Sequence, residues 1–190
     1  MEALRATRPR HGGPVPLTDL VDALRGGAAD GVEVRGEPGP VAVTGLTLAT
    51  TRVLPGDLYA ALPGARAHGA DHAPAALAAG AVAVLTDPVG AARLPEETDV
   101  PVVVVDDPRR HLGHLAARVY GDPAGRLRLV AVTGTQGKTT TTRLALSALE
   151  AAGVRAAAIG TVGTRVAGRD LPTKLTTPEA PDLFALFALM

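Results

Sequence analysis

An apolar run from Leu127 to Val132 leads directly into Thr133-Gly134-Thr135-Gln136-Gly137-Lys138-Thr139-Thr140, and a run of helix-forming residues follows. A strand that delivers a glycine turn to a helix N-terminus is the layout of a triphosphate cradle. Glycines let backbone N–H groups converge on phosphate oxygens, the lysine reaches the β- and γ-phosphates, and the next hydroxyl ligates magnesium. The pattern assigns Lys138 to the phosphates and Thr139 to Mg2+. The spacing is a tightened variant: G-x-x-x-x-G-K-[ST] would need glycine where Val132 stands, and Gly134 lies only three residues before Gly137. A threonine-rich turn with Thr135 or Thr139 as N-cap is the plainer alternative. Gly-Lys-Thr directly after a β-branched strand is what anion binding requires and a simple cap does not.

The 190 residues leave room for one large domain or two small ones. Basic and acidic side chains balance at 19 each, and aromatic residues make up 2%, so neither a basic footprint nor a stacking platform for nucleic acid is present. The chain has no cysteine, which excludes disulfides and thiolate metal sites. Residues 1–16, with Arg5, Arg8, Arg10 and His11 among Pro and Gly, lack the apolar stretch of a signal peptide and read as a disordered leader. No apolar run reaches the roughly 18 residues of a membrane span, so no membrane insertion and a cytoplasmic location are expected.

Periodicity and turn residues predict an α/β chain in two parts. In the first, Thr18 caps a helix through Leu20, Val21 and Leu24 that closes at Gly26-Gly27. Strands follow at Val41–Leu48 and Leu58–Leu62, separated by a Pro55-Gly56-Asp57 turn. A helix over Asp71–Ala79 stops at Gly80, strands occupy Ala81–Leu85 and Val102–Val105, and a helix runs from Arg109 to Tyr120. The stretch 121–126 reads as a linker between a domain at 17–120 and the start of a second at 127–190.

In that second part, strand 127–132, a helix from Thr139 to Ala152 and a strand from Val154 to Ile159 are expected to form a right-handed parallel unit. A hairpin over Thr161–Asp170 turns at Gly168, and Pro181–Met190 begins another helix. One such unit cannot cover both faces of a parallel sheet. Met190 also falls inside an apolar helical pattern without a stop signal. The expectation is the front part of a longer protein, whose central sheet is incomplete here.

The loop Thr133 to Thr140 resembles the T-G-T-N-G-K-T-T loop shared by the Mur ligases and the folylpolyglutamate synthetases. Two further stretches favour the former. Pro55 to Gly64, followed by His68-Gly69 and Gly80 to Val84, is similar to the uridine-nucleotide domain that the folylpolyglutamate synthetases lack. Ile159-Gly160-Thr161-Val162-Gly163 and Leu175-Thr176-Thr177-Pro178-Glu179 look like segments of the tripeptide-forming branch of the Mur ligase family.

The resemblance implies a small N-terminal uridine-nucleotide domain followed by the start of a P-loop central domain. It further implies an ATP-dependent amide ligase of peptidoglycan synthesis. Its partners would be UDP-muramyl dipeptide, ATP and a diamino acid, meso-diaminopimelate ahead of L-lysine. In that family the D-Glu carboxylate attacks the γ-phosphate and the amine opens the resulting acyl phosphate. As it stands the chain would bind without turning over, because the family's later parts lie outside it. The pentapeptide-forming relative and a non-catalytic nucleotide-binding module are the alternatives.

Carried over by position, Gly134, Thr135, Gln136, Gly137, Lys138, Thr139 and Thr140 take ATP, with Lys138 catalytic and Thr139 on Mg2+. Gln136 replaces the usual asparagine and keeps its amide. The family's Asp-Ser-Arg element falls on Ala49-Thr50-Thr51, so only a hydroxyl remains, at Thr50, with Arg52 beside it. Leu48 and the Ala65-Arg66-Ala67 loop match other uridine-side positions, and Thr176 and Thr177 match the pair that grips the muramyl peptide.

Other ionisable groups have plainer readings. His68 with His72, and His111 with His114, are spaced for a shared metal on a helix face but lack a third ligand nearby in sequence. Asp106-Asp107 precede Pro108 and read as a turn and helix cap. Glu179 reads as a helix N-terminal charge.

Overall fold

The computed structural model describes residues 7–9, 13–27, 31–171 and 177–190. It divides into two compact units, one ending at Asp122 and one running from Pro123 to Met190 that takes in residues 7–9.

In the first unit, β1 (Val15–Pro16) leads into α1 (Leu17–Gly26), and β2 (Glu33–Arg35), β3 (Ala42–Val43) and β4 (Gly45–Thr47) follow. After them come β5 (Asp57–Ala61), α2 (Ala73–Ala78), β6 (Ala83–Thr86), α3 (Pro88–Ala91), β7 (Val102–Val104) and α4 (Pro108–Val119). The main sheet has the order β2-β7-β6-β5-β4, with β4 to β7 parallel and β2 antiparallel on the edge. Strands β5, β6 and β7 are buried along their whole length, as continuous apolar runs in a parallel sheet require.

Because side chains alternate along a strand, the two faces of the sheet build two cores. Tyr59, Ala61, Val84, Val102 and Val104 pack with Ala70, Ala73, Ala76, Ala81 and Ala91 on one side. The alanines there allow α2 and α3 to approach the sheet closely. Helices α1 and α4 pack together and α4 packs on β4, burying Leu17, Leu20, Val21 and Leu24 of the one and Leu112, Leu115, Ala116 and Val119 of the other. The Tyr120 hydroxyl accepts from the Leu46 N–H at 3.3 Å and ties the end of α4 to β4.

Several expected elements differ here. Val15–Pro16, placed in the leader by the sequence, pair antiparallel with β3. Helix α1 starts at Leu17, behind Pro16 with φ −55°, so Thr18 lies inside the first turn and does not cap it. The expected strand Val41–Leu48 is two strands with different partners: β3 joins β1, whereas β4 joins β5. The change occurs at Thr44, whose N–H donates to Gly56 O at 2.9 Å. Helix 71–79 begins as a 3-10 turn, Gly69–His72, before α2.

The second unit holds a 3-10 turn (Pro123–Arg126), α5 (Lys138–Ala151), β8 (Ala157–Gly160), β9 (Gly163–Val166), β10 (Arg169–Leu171) and α6 (Ala180–Leu189). The hairpin expected at 161–170 is present, with Ala167 and Gly168 both at positive φ (47° and 78°) in its turn, the conformation a two-residue hairpin favours. Residues 127–132 are not a strand. The parallel unit is replaced by an antiparallel sheet of order β10-β9-β8. A strand exists only when a neighbour takes its hydrogen bonds, and Val130 is instead 88% exposed.

Candidate functional site

The loop between residues 132 and 138 has the backbone its glycines allow. Gly134 has φ 146° and Gly137 has φ 75°, both in the region that favours glycine. Gly137 is the N-cap of α5 and no side chain caps that end; its carbonyl accepts from the Thr141 N–H at 2.8 Å. Neither Thr135 nor Thr139 therefore acts as the cap that the plainer reading required. The first-turn amides of a helix have no intrahelical acceptor. With the helix dipole behind them they present a partial positive charge to an anion.

Lys138 supplies the full charge. Its ammonium donates back to the Gly134 carbonyl, which folds the side chain over the loop. Thr133 to Thr141 are all exposed, so this loop and the first turn of α5 are open to solvent. Thr142 is set differently: its hydroxyl donates within α5 to the carbonyls of Lys138 and Thr139, each at 3.0 Å. Thr139 Oγ1 lies 2.9 Å from Thr161 Oγ1, in the turn between β8 and β9. The sequence reading gave Thr161 no role, because 22 residues separate the two hydroxyls. Its place in the Ile159 to Gly163 segment, at a strand end after the loop helix, is the signal that could have found it.

Among the described residues no group of three or more His, Cys, Asp and Glu is arranged to hold a metal ion. A single hydroxyl at an uncapped helix N-terminus fits Mg2+ all the same, since that ion keeps several waters and takes few protein ligands beside the phosphates of its substrate. The histidines have other partners or surroundings. His68 Nδ1 accepts from the Ala70 N–H at 3.0 Å, so its ring proton sits on Nε2, 3.0 Å from Asp87 Oδ1. His72 and His114 are exposed, whereas His111 is buried. Asp107 caps α4 by accepting from the Arg110 N–H at 3.3 Å. Glu179 is the N-cap residue of α6, with no side-chain bond to that helix end.

The uridine-side positions in the first unit follow the carboxyl ends of two neighbouring parallel strands, the side of an open α/β sheet on which ligands bind. Leu48 and Thr50 follow β4, and both are partly exposed; Thr50 opens a 3-10 turn closed by Arg52. The exposed loop Ala65-Arg66-Ala67 follows β5, held by a bridge between Pro63 and His68 and by Gly64 N–H donating to Ala67 O at 3.1 Å. Thr177 is exposed ahead of α6, and Thr176 lies outside the described residues.

Comparison with known proteins decides the family. The catalytic-domain model of the Mur ligase family matches residues 42–120, and the Mur ligase middle-domain model matches residues 132–190. The chain belongs to the Mur ligase family. Among curated Mur ligases it is 48% identical over 184 residues to the UDP-N-acetylmuramoyl-L-alanyl-D-glutamate--2,6-diaminopimelate ligase of Streptomyces avermitilis, covering 96% of this chain and 34% of that protein.

The enzyme of the same name from Corynebacterium glutamicum is 47% identical over 176 residues, covering 92% of this chain and 34% of the relative. A solved structure of a protein with that name superimposes with a TM-score of 0.61 at 23% identity, over 92% of this chain and 33% of the other. That similarity supports the Mur ligase fold. The chain spans about a third of the length of the curated relatives it matches. Among the described residues no helix is long and apolar enough to cross a membrane.

Proposed function

We propose that the complete Mur ligase adds meso-diaminopimelate to UDP-N-acetylmuramoyl-L-alanyl-D-glutamate at the expense of ATP, in the cytoplasm, as a step of peptidoglycan synthesis. The observation that carries this reading is the uncapped N-terminus of α5 behind Gly137, with the Lys138 ammonium folded over the loop. It is supported by relatives over 40% identical that carry the diaminopimelate ligase name. Residues 17–120 are assigned to the muramyl nucleotide, 121–126 to a linker, and 127–190 to the beginning of the ATP-binding domain.

The chemistry asks the loop for positioning and charge neutralisation. The D-Glu side-chain carboxylate attacks the γ-phosphorus of ATP, the bond to the β-phosphate oxygen breaks, and ADP leaves. The diaminopimelate amine then attacks the acyl phosphate, loses a proton and expels inorganic phosphate, which leaves an amide. The backbone amides of Gly134 to Thr140 hold the phosphates, and Lys138 stabilises the charge that builds on the transferred group. Thr139 would hold Mg2+, which when bound neutralises phosphate charge. Leu48, Thr50, Thr176 and Thr177 are assigned to the muramyl substrate.

The test supplies the complete protein with ATP, Mg2+, the UDP-muramyl dipeptide and meso-diaminopimelate, and measures ADP together with product mass. ADP release that needs both substrates, with a product heavier by one diaminopimelate less water, is expected. ADP release with L-lysine but not diaminopimelate would reassign the amino acid. Activity only with a muramyl tripeptide and D-alanyl-D-alanine would replace the reading with the pentapeptide-forming reaction.

A further inference from the structure

We propose that Thr161 is a positioning residue for Thr139, accepting its hydroxyl proton so that an oxygen lone pair is presented to the nucleotide's magnesium; this rests on the ATP-ligase reading above. The two Oγ1 atoms are 2.9 Å apart, and either hydroxyl can be the donor. A hydroxyl carries one proton and two lone pairs. When Thr139 offers a lone pair to a cation, its proton must turn away from that charge, and Thr161 stands within hydrogen-bonding distance to receive it. The pair is then fixed in one sense, Thr139 donating and Thr161 accepting. Groups that orient a metal ligand in this way commonly contribute 10–100-fold to metal affinity.

The placement of Thr161 does not depend on this bond alone. Thr161 and Val162 form the tight turn between β8 and β9, where Gly160 pairs with Gly163. Arg143 Nη2 donates to Val162 O at 3.4 Å. Positions 139 and 143 are four residues apart and share one face of α5. The turn is therefore held to that face at two points, one at Thr139 and one a helical turn further along. A merely structural tie would treat the two points alike, whereas an orienting role belongs to Thr161 alone.

The experiment measures ATP binding by calorimetry on the complete protein, without muramyl substrate, in EDTA and at stepped Mg2+ concentrations. Thr161→Val keeps the shape of the side chain and removes the hydroxyl. It is expected to leave the EDTA affinity unchanged and to raise the Mg2+ concentration for half-maximal tightening at least about tenfold. Thr161→Ser should restore the parent value, and Arg143→Ala should leave it unaltered. A Val variant with the parent Mg2+ requirement would overturn the inference, as would an Arg143→Ala variant that shifts the requirement equally. A parent protein whose ATP binding ignores Mg2+ would overturn the ATP-ligase reading together with this one, an outcome visible before any variant is made.

Discussion

His68 Nε2 donates to Asp87 Oδ1 across 3.0 Å, with the histidine only 6% exposed, and joins the loop after β5 to the start of α3. The same carboxylate oxygen accepts from the Gly90 N–H at 2.7 Å, and the other ring nitrogen is used by Ala70. His68 is one of the four histidines that the sequence spaces in pairs for a metal, and both its nitrogens serve the fold.

Replacing His68 by Ala removes a buried donor and leaves Asp87 with less than its full complement. A loss of about 1–3 kcal/mol is expected. Urea unfolding of the complete protein checks it: the transition involving the first unit should move to lower urea with its slope unchanged. An unmoved transition would mean that the pair contributes nothing.

The neighbouring Asp71 gives a pH signature. Hydrogen bonding to Arg93, whose Nη1 lies 3.0 Å from both carboxylate oxygens, holds the Asp71 carboxyl below its ordinary value of 3.8. A lowered folded-state pKa contributes stability that is fully present above 3.8 and is lost as pH falls through the folded-state value. Asp71→Asn should therefore melt below the parent at neutral pH, and the gap should close in acid. A gap that widens below pH 3.8 would contradict the assignment.

Much of this architecture was readable because it rests on local signals. The apolar runs of β5, β6 and β7 and the 3.6-residue spacing of Leu112, Leu115 and Val119 belong to single segments, and each appears close to where it was expected. The failures are relations between segments. Residues 127–132 have strand chemistry but no paired neighbour. Glu33–Arg35 has two charged residues in three and becomes strand β2 because β7 leaves an edge for it.

The site divides in the same way. The glycine turn at the N-terminus of α5 was legible because its glycines, lysine and threonines are contiguous. The partners of Thr139 and His68 lie 22 and 19 residues away, and no spacing rule connects them.

Gly137→Ala separates backbone conformation from contact. A Cβ there would meet no atom within 4 Å, yet φ is +75°. Holding alanine in that region costs about 1–2 kcal/mol. Where the alanine loop relaxes out of that region in the free protein and must return to it on binding, ATP affinity falls by up to roughly 5–30-fold, as read by calorimetry. Unchanged affinity together with an unchanged melting temperature would show that the loop does not need the left-handed turn.

Thr50→Ala tests the other end of the assignment. Loss of one hydroxyl contact of about 1 kcal/mol should raise the KM for the UDP-muramyl dipeptide roughly fivefold with kcat nearly unchanged. Steady-state kinetics with ATP saturating reads it directly, and an unchanged KM would remove Thr50 from the substrate site.

The most direct test of the central claim, that the loop from Gly134 to Thr140 holds the phosphates of ATP, is equilibrium ATP binding by the parent protein and by Lys138→Ala. Loss of a charge-assisted contact of about 1.5–3 kcal/mol should weaken binding by at least about tenfold, while Thr50→Ala binds ATP like the parent. Parent-like ATP affinity in the Lys138 variant would contradict the account.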